Sequence, residues 1–131
     1  MIRASFHEEF DYDYEIIIDP EMSFGTGHHE TTRLMSSYLL ENPPENKKVL
    51  DFGSGTGVLS ILSEKLKASS ISSVEIDQLA VSNAIKNGRI NNCNKIKFIH
   101  GSSIWSNILV SNVPIKINFY WVDARYHEAW L

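Results

Sequence analysis

The feature that most constrains the fold is a short apolar run that leads directly into a glycine-rich turn. Residues 48–52 read Lys-Val-Leu-Asp-Phe, a pattern typical of a buried strand, and glycines follow at positions 53, 55 and 57. Apolar residues then recur at helical spacing from position 58 to position 66. Glycines in such a turn permit positive φ and close approach of a ligand, and the next helix offers free N–H groups. The segment therefore predicts a strand, a ligand-binding turn and a helix in succession.

Strand and helix patterns alternate along the rest of the chain. The sequence predicts a short strand over 15–18, a helix over 31–40, strands over 71–76, 95–100 and 115–122, and a helix over 78–90 capped by Asp77. Strands separated by helices of this length imply a parallel sheet with helices on both faces, so the predicted fold class is α/β. In the helix over 78–90 we expect the following residues to face inward: Leu79, Val81, Ala84 and Ile85.

Composition narrows the class of protein. A chain of 131 residues corresponds to about one domain, and its net charge of -4 argues against broad binding of a phosphate backbone. Half of the acidic residues fall within positions 1–30, which we interpret as a solvated acidic arm in preference to a docking surface. Cys93 is alone, and no apolar run approaches the ~18 residues of a membrane span. We therefore expect a cytoplasmic protein without nucleic-acid or membrane partners.

The spacing of polar groups around the turn indicates the kind of ligand. Val58 stands one residue beyond the last glycine, so the Gly-x-Gly-x-x-Gly fingerprint of dinucleotide sites is absent and a nicotinamide-dependent oxidoreductase is disfavoured. Asp51 ends the first strand, where a carboxylate suits an ammonium group or fixes the loop. Glu75 ends the second strand, where an acid can accept hydrogen bonds from both hydroxyls of a ribose. A nucleoside with a cationic appendage fits both carboxylates.

Three segments carry a resemblance to a known family. They are IDPEMSFGTGHHETT over 18–32, VLDFGSGTGVL over 49–59 and EIDQLAV over 75–81. Together they resemble the ribosomal protein L11 methyltransferases of the PrmA type, which are S-adenosylmethionine-dependent. The resemblance implies a Rossmann-like class I methyltransferase fold. With the turn and strand-end residues, the predicted cofactor-binding set is Phe24, Gly25, Thr26, Thr32, Asp51, Gly53, Ser54, Gly55, Thr56, Gly57, Glu75, Ile76 and Ser102.

The same resemblance separates the chain into two regions. Residues 1–30 are expected to form an acidic arm and a cofactor-covering loop, and residues 31–131 a partial S-adenosylmethionine-binding domain. The sequence Val-Asp-Ala-Arg-Tyr over 122–126 is similar to the Asp-Pro-Pro-Tyr element of amino-group methyltransferases, so Asp123 and Tyr126 are candidates for orienting an amine. The implied function is methylation of a protein substrate, such as a ribosomal protein. The alternative is a cofactor-binding or interaction module without catalysis.

Two further expectations concern a metal and a partner chain. The run His28-His29-Glu30 does not have the His-Glu-x-x-His spacing, and adjacent histidines in an extended segment point to opposite faces, so we predict no metal site. The sheet of the family fold has seven strands and this sequence supplies four of them after the helix over 31–40, which leaves the strand over 115–122 as an open edge. Such an edge is a template for pairing, and we expect a homodimer or a bound partner through it, the alternative being that the acidic arm folds over it.

Overall fold

The computed structural model describes residues 2–3, 13–19 and 29–101 of the chain. These residues form an α/β unit, as the alternating sequence pattern predicts. Within them, no helix combines the length and apolar character needed to cross a bilayer. The elements in chain order are β1 (Ile2–Arg3), β2 (Ile16–Ile17), α1 (His29–Glu41), β3 (Lys48–Phe52), α2 (Val58–Lys65), β4 (Ser70–Glu75), α3 (Gln78–Ile90) and β5 (Ile96–His100).

The central sheet has the strand order β3-β4-β5, and both of its pairings are parallel. In the register Val49 lies opposite Ile71, and Ile71 lies opposite Ile96. α2 connects β3 to β4, and α3 connects β4 to β5, so each connection is a helical crossover. The predicted parallel sheet is therefore confirmed, and the carboxyl ends of β3 and β4 lie side by side.

The observed bounds differ from the predicted ones by one or two residues. β4 ends at Glu75 and not at position 76, because the backbone N–H of Ile76 donates to the Glu75 side chain at 2.8 Å. α1 begins two residues earlier than predicted and ends before Pro43 and Pro44. The strand predicted over 115–122, with the homodimer expected through it, lies outside the described residues and stays a prediction.

The main core lies around α2, whose apolar side chains are buried as the helical spacing predicts. Ile61 at its centre has no exposed surface. The core cluster joins this helix to the segment around β2 and to α1, and its buried members are Ile16, Ile18, Leu39, Val58, Leu59, Ile61, Leu62 and Leu66. Burial of each such side chain contributes about 1.5–3 kcal/mol.

The inward face of α3 differs from the predicted one at Leu79, and Ile85 is half-buried. Val81 and Ala84 are buried as expected, but Leu79 is 66% exposed, and that prediction is wrong. Leu79 lies in the first turn, where Asp77 accepts hydrogen bonds from the N–H groups of Leu79 and Ala80. At about 100° per residue the buried residues of α3 share one face, and Leu79 lies more than about 100° from the centre of that face.

The segment around β2 docks on α3 through two asparagine side chains. The N–H of Ile17 donates to Asn91 Oδ1 at 2.8 Å, and Asn91 Nδ2 donates to the Ile17 carbonyl oxygen at 2.6 Å. The N–H of Asp19 donates to Asn87 Oδ1 at 3.0 Å. The short strand predicted over 15–18 is thus present as two residues, and its flanking backbone groups are satisfied by helix side chains.

Candidate functional site

The glycine-rich turn crosses from the end of β3 to the end of β4. Gly53, Gly55 and Gly57 have φ values of 74°, 52° and 81°, which L side chains rarely adopt. The N–H groups of Gly53 and Ser54 donate to the carbonyl oxygen of Val74 at 2.8 and 3.1 Å. These bonds attach the turn to the neighbouring strand, so its backbone forms the floor of a site at the carboxyl edge of the sheet.

Gly55 and Gly57 are required for different reasons. A Cβ at Gly57 would lie 3.1 Å from the Ala84 Cβ, so this position lets α3 pack directly against the turn. A Cβ at Gly55 would have no neighbouring atom within 4 Å. Gly57 therefore serves the packing of the protein, whereas Gly55 borders open space in which a ligand can approach the backbone.

The side chain of Glu75, at the end of β4, is hydrogen-bonded to the glycine-rich turn. The side chain is 6% exposed, and its Oε2 accepts a hydrogen bond from the N–H of Gly55 at 3.0 Å. Its Oε1 accepts from the N–H groups of Ile76 and Asp77 at 2.8 and 3.1 Å. Hydrogen bonds to an ionised acceptor are stronger than neutral ones, so this carboxylate holds the tip of the turn and the end of β4 together.

Asp51 is the second carboxylate of the site and is 2% exposed. Its Oδ2 accepts a hydrogen bond from the Ser60 hydroxyl at 2.5 Å, while its Oδ1 is buried and has no partner among the described residues. Burial raises the pKa of Asp51 from 3.8 to about 6, opposed by hydrogen bonds from Ser60 and assisted by the charge of Glu75. A buried acceptor without a donor is costly, and a ligand cation would satisfy it.

The rim of the site is partly apolar. Ile76 follows Glu75 at the strand end and is 55% exposed. Its carbonyl oxygen lies 3.0 Å from Nε2 of His100, the last residue of β5. An exposed apolar side chain beside a buried carboxylate suits a ligand that has both a flat apolar part and hydroxyl groups.

The structure brings together most of the predicted cofactor residues that it describes. Asp51, residues 53–57, Glu75 and Ile76 all lie at the carboxyl ends of β3 and β4. Thr32 lies in the first turn of α1, where its carbonyl oxygen accepts a hydrogen bond from the Ser36 hydroxyl at 2.7 Å. The remaining candidates lie outside the described residues: Phe24, Gly25, Thr26, Ser102, Asp123 and Tyr126.

Sequence reasoning missed two polar residues that support the site. Ser60, in α2, donates to Asp51, and Asn87, in α3, donates to the carbonyl oxygen of Thr56 at 3.0 Å. Both occupy inward positions of their helices, where a polar residue within an apolar pattern is the available signal. In the parts of the chain that the structure covers, no group of three or more His, Cys, Asp or Glu side chains is arranged to hold a metal ion.

In comparisons with known sequences, the family model and the relatives that match this chain carry the same description. The family model described as ribosomal protein L11 methyltransferase (PrmA) matches residues 1–117. A relative from Porphyromonas gingivalis with that name is 47% identical over 97 residues, which are 73% of this chain and 33% of the relative. One from Bacteroides thetaiotaomicron is 38% identical over 118 residues, 89% of this chain and 41% of the relative. The chain thus spans about a third to two-fifths of these relatives.

Comparison with solved structures confirms the Rossmann-like methyltransferase fold. A ribosomal protein L11 methylase from Lactobacillus delbrueckii subsp. bulgaricus matches with a TM-score of 0.58 and 24% identity, covering 70% of this chain and 48% of that one. The PRMT1 enzyme-prozyme complex of Trypanosoma brucei, determined with AdoHcy, matches with a TM-score of 0.51 and 27% identity, covering 66% of this chain and 26% of that one.

Proposed function

The chain belongs to the ribosomal protein L11 methyltransferase family, and from this premise we propose that it binds S-adenosylmethionine at the glycine-rich turn. The proposal depends on one observation above all. Gly55 borders open space at the turn that joins the ends of β3 and β4, and the buried carboxylate at the end of β3, Asp51, has an oxygen without a donor among the described residues. A ligand with a cationic group and a ribose would supply donors to this site.

The residues of the turn fit the parts of such a ligand. Asp51 would hold the ammonium group of the methionine moiety, because a nearby positive charge stabilises the ionised form of a buried carboxyl group. The backbone at Gly55 would contact the same moiety, since no side chain stands in the way. Glu75 would hold the ribose hydroxyls while it keeps the turn in place, because each carboxylate oxygen can accept more than one hydrogen bond. Ile76 would pack against the adenine.

The proposed reaction is methyl transfer to a ribosomal protein, L11. When bound, the cofactor would supply a methyl group on a sulfonium. A neutral amine of the substrate would form the N–C bond as the C–S bond breaks, S-adenosylhomocysteine would leave as the neutral thioether, and the methylated ammonium would release a proton to solvent. The chain's own residues bind and orient, and alignment of reacting groups alone can lower a barrier by about 7–11 kcal/mol. For orienting the amine we propose Asp123 and Tyr126, which lie outside the described residues. A ribosomal substrate is consistent with a cytoplasmic location.

The first test is calorimetric titration of S-adenosylhomocysteine into the purified chain. We expect saturable binding of one molecule per chain, and we expect no heat from NAD, because the Gly-x-Gly-x-x-Gly spacing is absent. Absence of saturable S-adenosylhomocysteine binding would overturn the proposal.

The second test measures transfer. Purified L11 is incubated with cofactor labelled in the methyl group, and incorporation is followed with and without the chain. Label in L11 supports the methyltransferase function. Binding without incorporation would instead support the alternative of a cofactor-binding module that does not catalyse transfer.

A further inference from the structure

Asn87 of α3 connects two segments that are far apart in the sequence. Its side chain is completely buried. Nδ2 donates to the carbonyl oxygen of Thr56 in the glycine-rich turn at 3.0 Å, and Oδ1 accepts from the N–H of Asp19 at 3.0 Å. One amide therefore joins the turn to the segment that follows β2, because its Nδ2 and its Oδ1 each make one of these hydrogen bonds.

Asn91 repeats the arrangement one helical turn later, but it does not reach the glycine-rich turn. Its amide exchanges hydrogen bonds with the N–H and carbonyl oxygen of Ile17, and its Nδ2 also donates to the Asn87 carbonyl oxygen at 2.8 Å. Four residues of helix advance about 6 Å, and two residues of extended chain advance about 6.6 Å. The spacing of the two asparagines thus matches that of Ile17 and Asp19.

Other contacts strengthen both connections of Asn87. Ala84, on the same face of α3, lies so close to Gly57 that a Cβ there would approach it to 3.1 Å. On the other side, Lys86 Nζ lies 3.5 Å from Asp19 Oδ2, a partly exposed ion pair that contributes at most about 1 kcal/mol. The turn and the segment around Asp19 are therefore both attached to one turn of one helix.

We propose that Asn87 is a positioning residue for the cofactor site. By holding the Thr56 carbonyl oxygen it fixes the backbone on which Gly55 is presented, and the hydrogen bond from the Asp19 N–H to Oδ1 orients the amide so that Nδ2 faces Thr56. This inference rests on the proposed function, since it concerns the affinity of the same turn for the cofactor. Asn87 itself acts through Thr56 and does not contact the ligand.

A matched pair of substitutions separates positioning from general stability. Asn87→Asp keeps the acceptor for Asp19 but loses the donor to Thr56 and brings two oxygens together. Asn91→Asp makes the same substitution one turn away: it keeps the acceptor for the Ile17 N–H and loses the donor to the carbonyl oxygens of Ile17 and Asn87, without touching Thr56. With both variants folded by circular dichroism, we expect Asn87→Asp to raise the Kd for S-adenosylhomocysteine at least tenfold and Asn91→Asp to leave it within twofold. Equal Kd values for the two variants would overturn the inference.

A second measurement needs no cofactor. Amide hydrogen exchange at residues 55–57 of the unliganded chain should accelerate in Asn87→Asp and stay unchanged in Asn91→Asp, because only the first releases Thr56. Unchanged exchange in both would also overturn the inference. If Asn87→Asp does not fold, the pair Asn87→Ala and Asn91→Ala is compared in the same way. A wild-type chain that does not bind S-adenosylhomocysteine would overturn the proposed function. A wild-type chain that binds it, together with equal Kd values for the two variants, would overturn the role of Asn87 alone.

Discussion

The carboxylate of Glu75 accepts a hydrogen bond from the backbone N–H of Gly55 at 3.0 Å, across twenty positions of sequence. Sequence reasoning expects this acid to hold the ribose hydroxyls of a ligand, and the structure gives it a second role in holding the glycine-rich turn. The two roles are compatible, because the bond fixes the orientation of the carboxylate at the edge of the site. Loss of Glu75 should consequently affect both the turn and the ligand.

Replacing Glu75 with alanine should weaken S-adenosylhomocysteine binding by about 1.5–3 kcal/mol, the range for hydrogen bonds to a charged group. The matched control is Glu64→Ala, because Glu64 also accepts from backbone N–H groups, those of Asn94 and Lys95, before β5 begins. We expect the control to lower the melting temperature and to leave the Kd unchanged. Calorimetric titration measures the Kd of each variant, and thermal unfolding followed by circular dichroism measures its melting temperature. An unchanged Kd in a folded Glu75→Ala chain would contradict the ribose role.

Replacing Gly55 with valine should abolish binding of S-adenosylhomocysteine. The side chain would enter the open space beside the turn, and a β-branched residue strongly resists the φ of 52°. Gly57→Ala is the contrasting variant, because its new Cβ would meet Ala84 at 3.1 Å and affect packing first. When each glycine is replaced with alanine, we expect the denaturant midpoint to fall more for Gly57→Ala than for Gly55→Ala. Undiminished affinity in Gly55→Val would show that no ligand approaches this position.

Asp51 should make the chain less stable as pH rises. Its pKa is raised from 3.8 to about 6, so between these values the folded chain keeps a proton that the unfolded chain has released. The free energy of unfolding therefore falls through this window, by about 3 kcal/mol at about 1.4 kcal/mol per pH unit. The Asp51→Asn variant has no titrating carboxyl group at this position. Its free energy of unfolding in urea, relative to that of wild type, should therefore increase from pH 4 to pH 7. Parallel curves for the two proteins would contradict the assignment.

Binding at Asp51 should release a proton when the pH is about 5.5, because a ligand ammonium favours the charged carboxylate. Calorimetric titration in two buffers that differ in ionisation enthalpy gives the number of protons released. We expect a net release for wild type and a smaller one for Asp51→Asn. The same release in both proteins would place the ligand cation away from this residue.

Asn83 should tolerate an apolar replacement. It is 2% exposed, and both polar atoms of its amide are buried without a partner among the described residues. Replacing an unsatisfied buried group with an apolar one of similar shape is nearly neutral or stabilising. We expect Asn83→Leu to keep or raise the denaturant midpoint and Asn87→Leu to lower it, because Asn87 loses its bonds to Thr56 and Asp19. A strong fall in Asn83→Leu would show that its amide is used.

The sequence by itself determined the local elements and the kind of site. Apolar periodicity predicted β3, α2 and α3, and Asp77 was expected and found as the cap of α3, because these features depend on residues within a few positions. The glycine spacing, with Asp51 and Glu75 at the strand ends, indicated a nucleoside with a cationic group. Motifs at three places in the chain indicated the family, which the comparisons confirmed.

Only the tertiary structure decided which polar groups meet. The bond from Ser60 to Asp51, the two bonds of Asn87 and the pairing of Ile17 with Asn91 join residues 9 to 74 positions apart. No local pattern encodes such contacts, because they exist only once the helices pack against the sheet, where a hydrogen-bond partner offsets the cost of burying an amide or carboxyl group. The exposure of Leu79 has the same origin, since the packed neighbours of Ala80 decide which side of α3 faces the core.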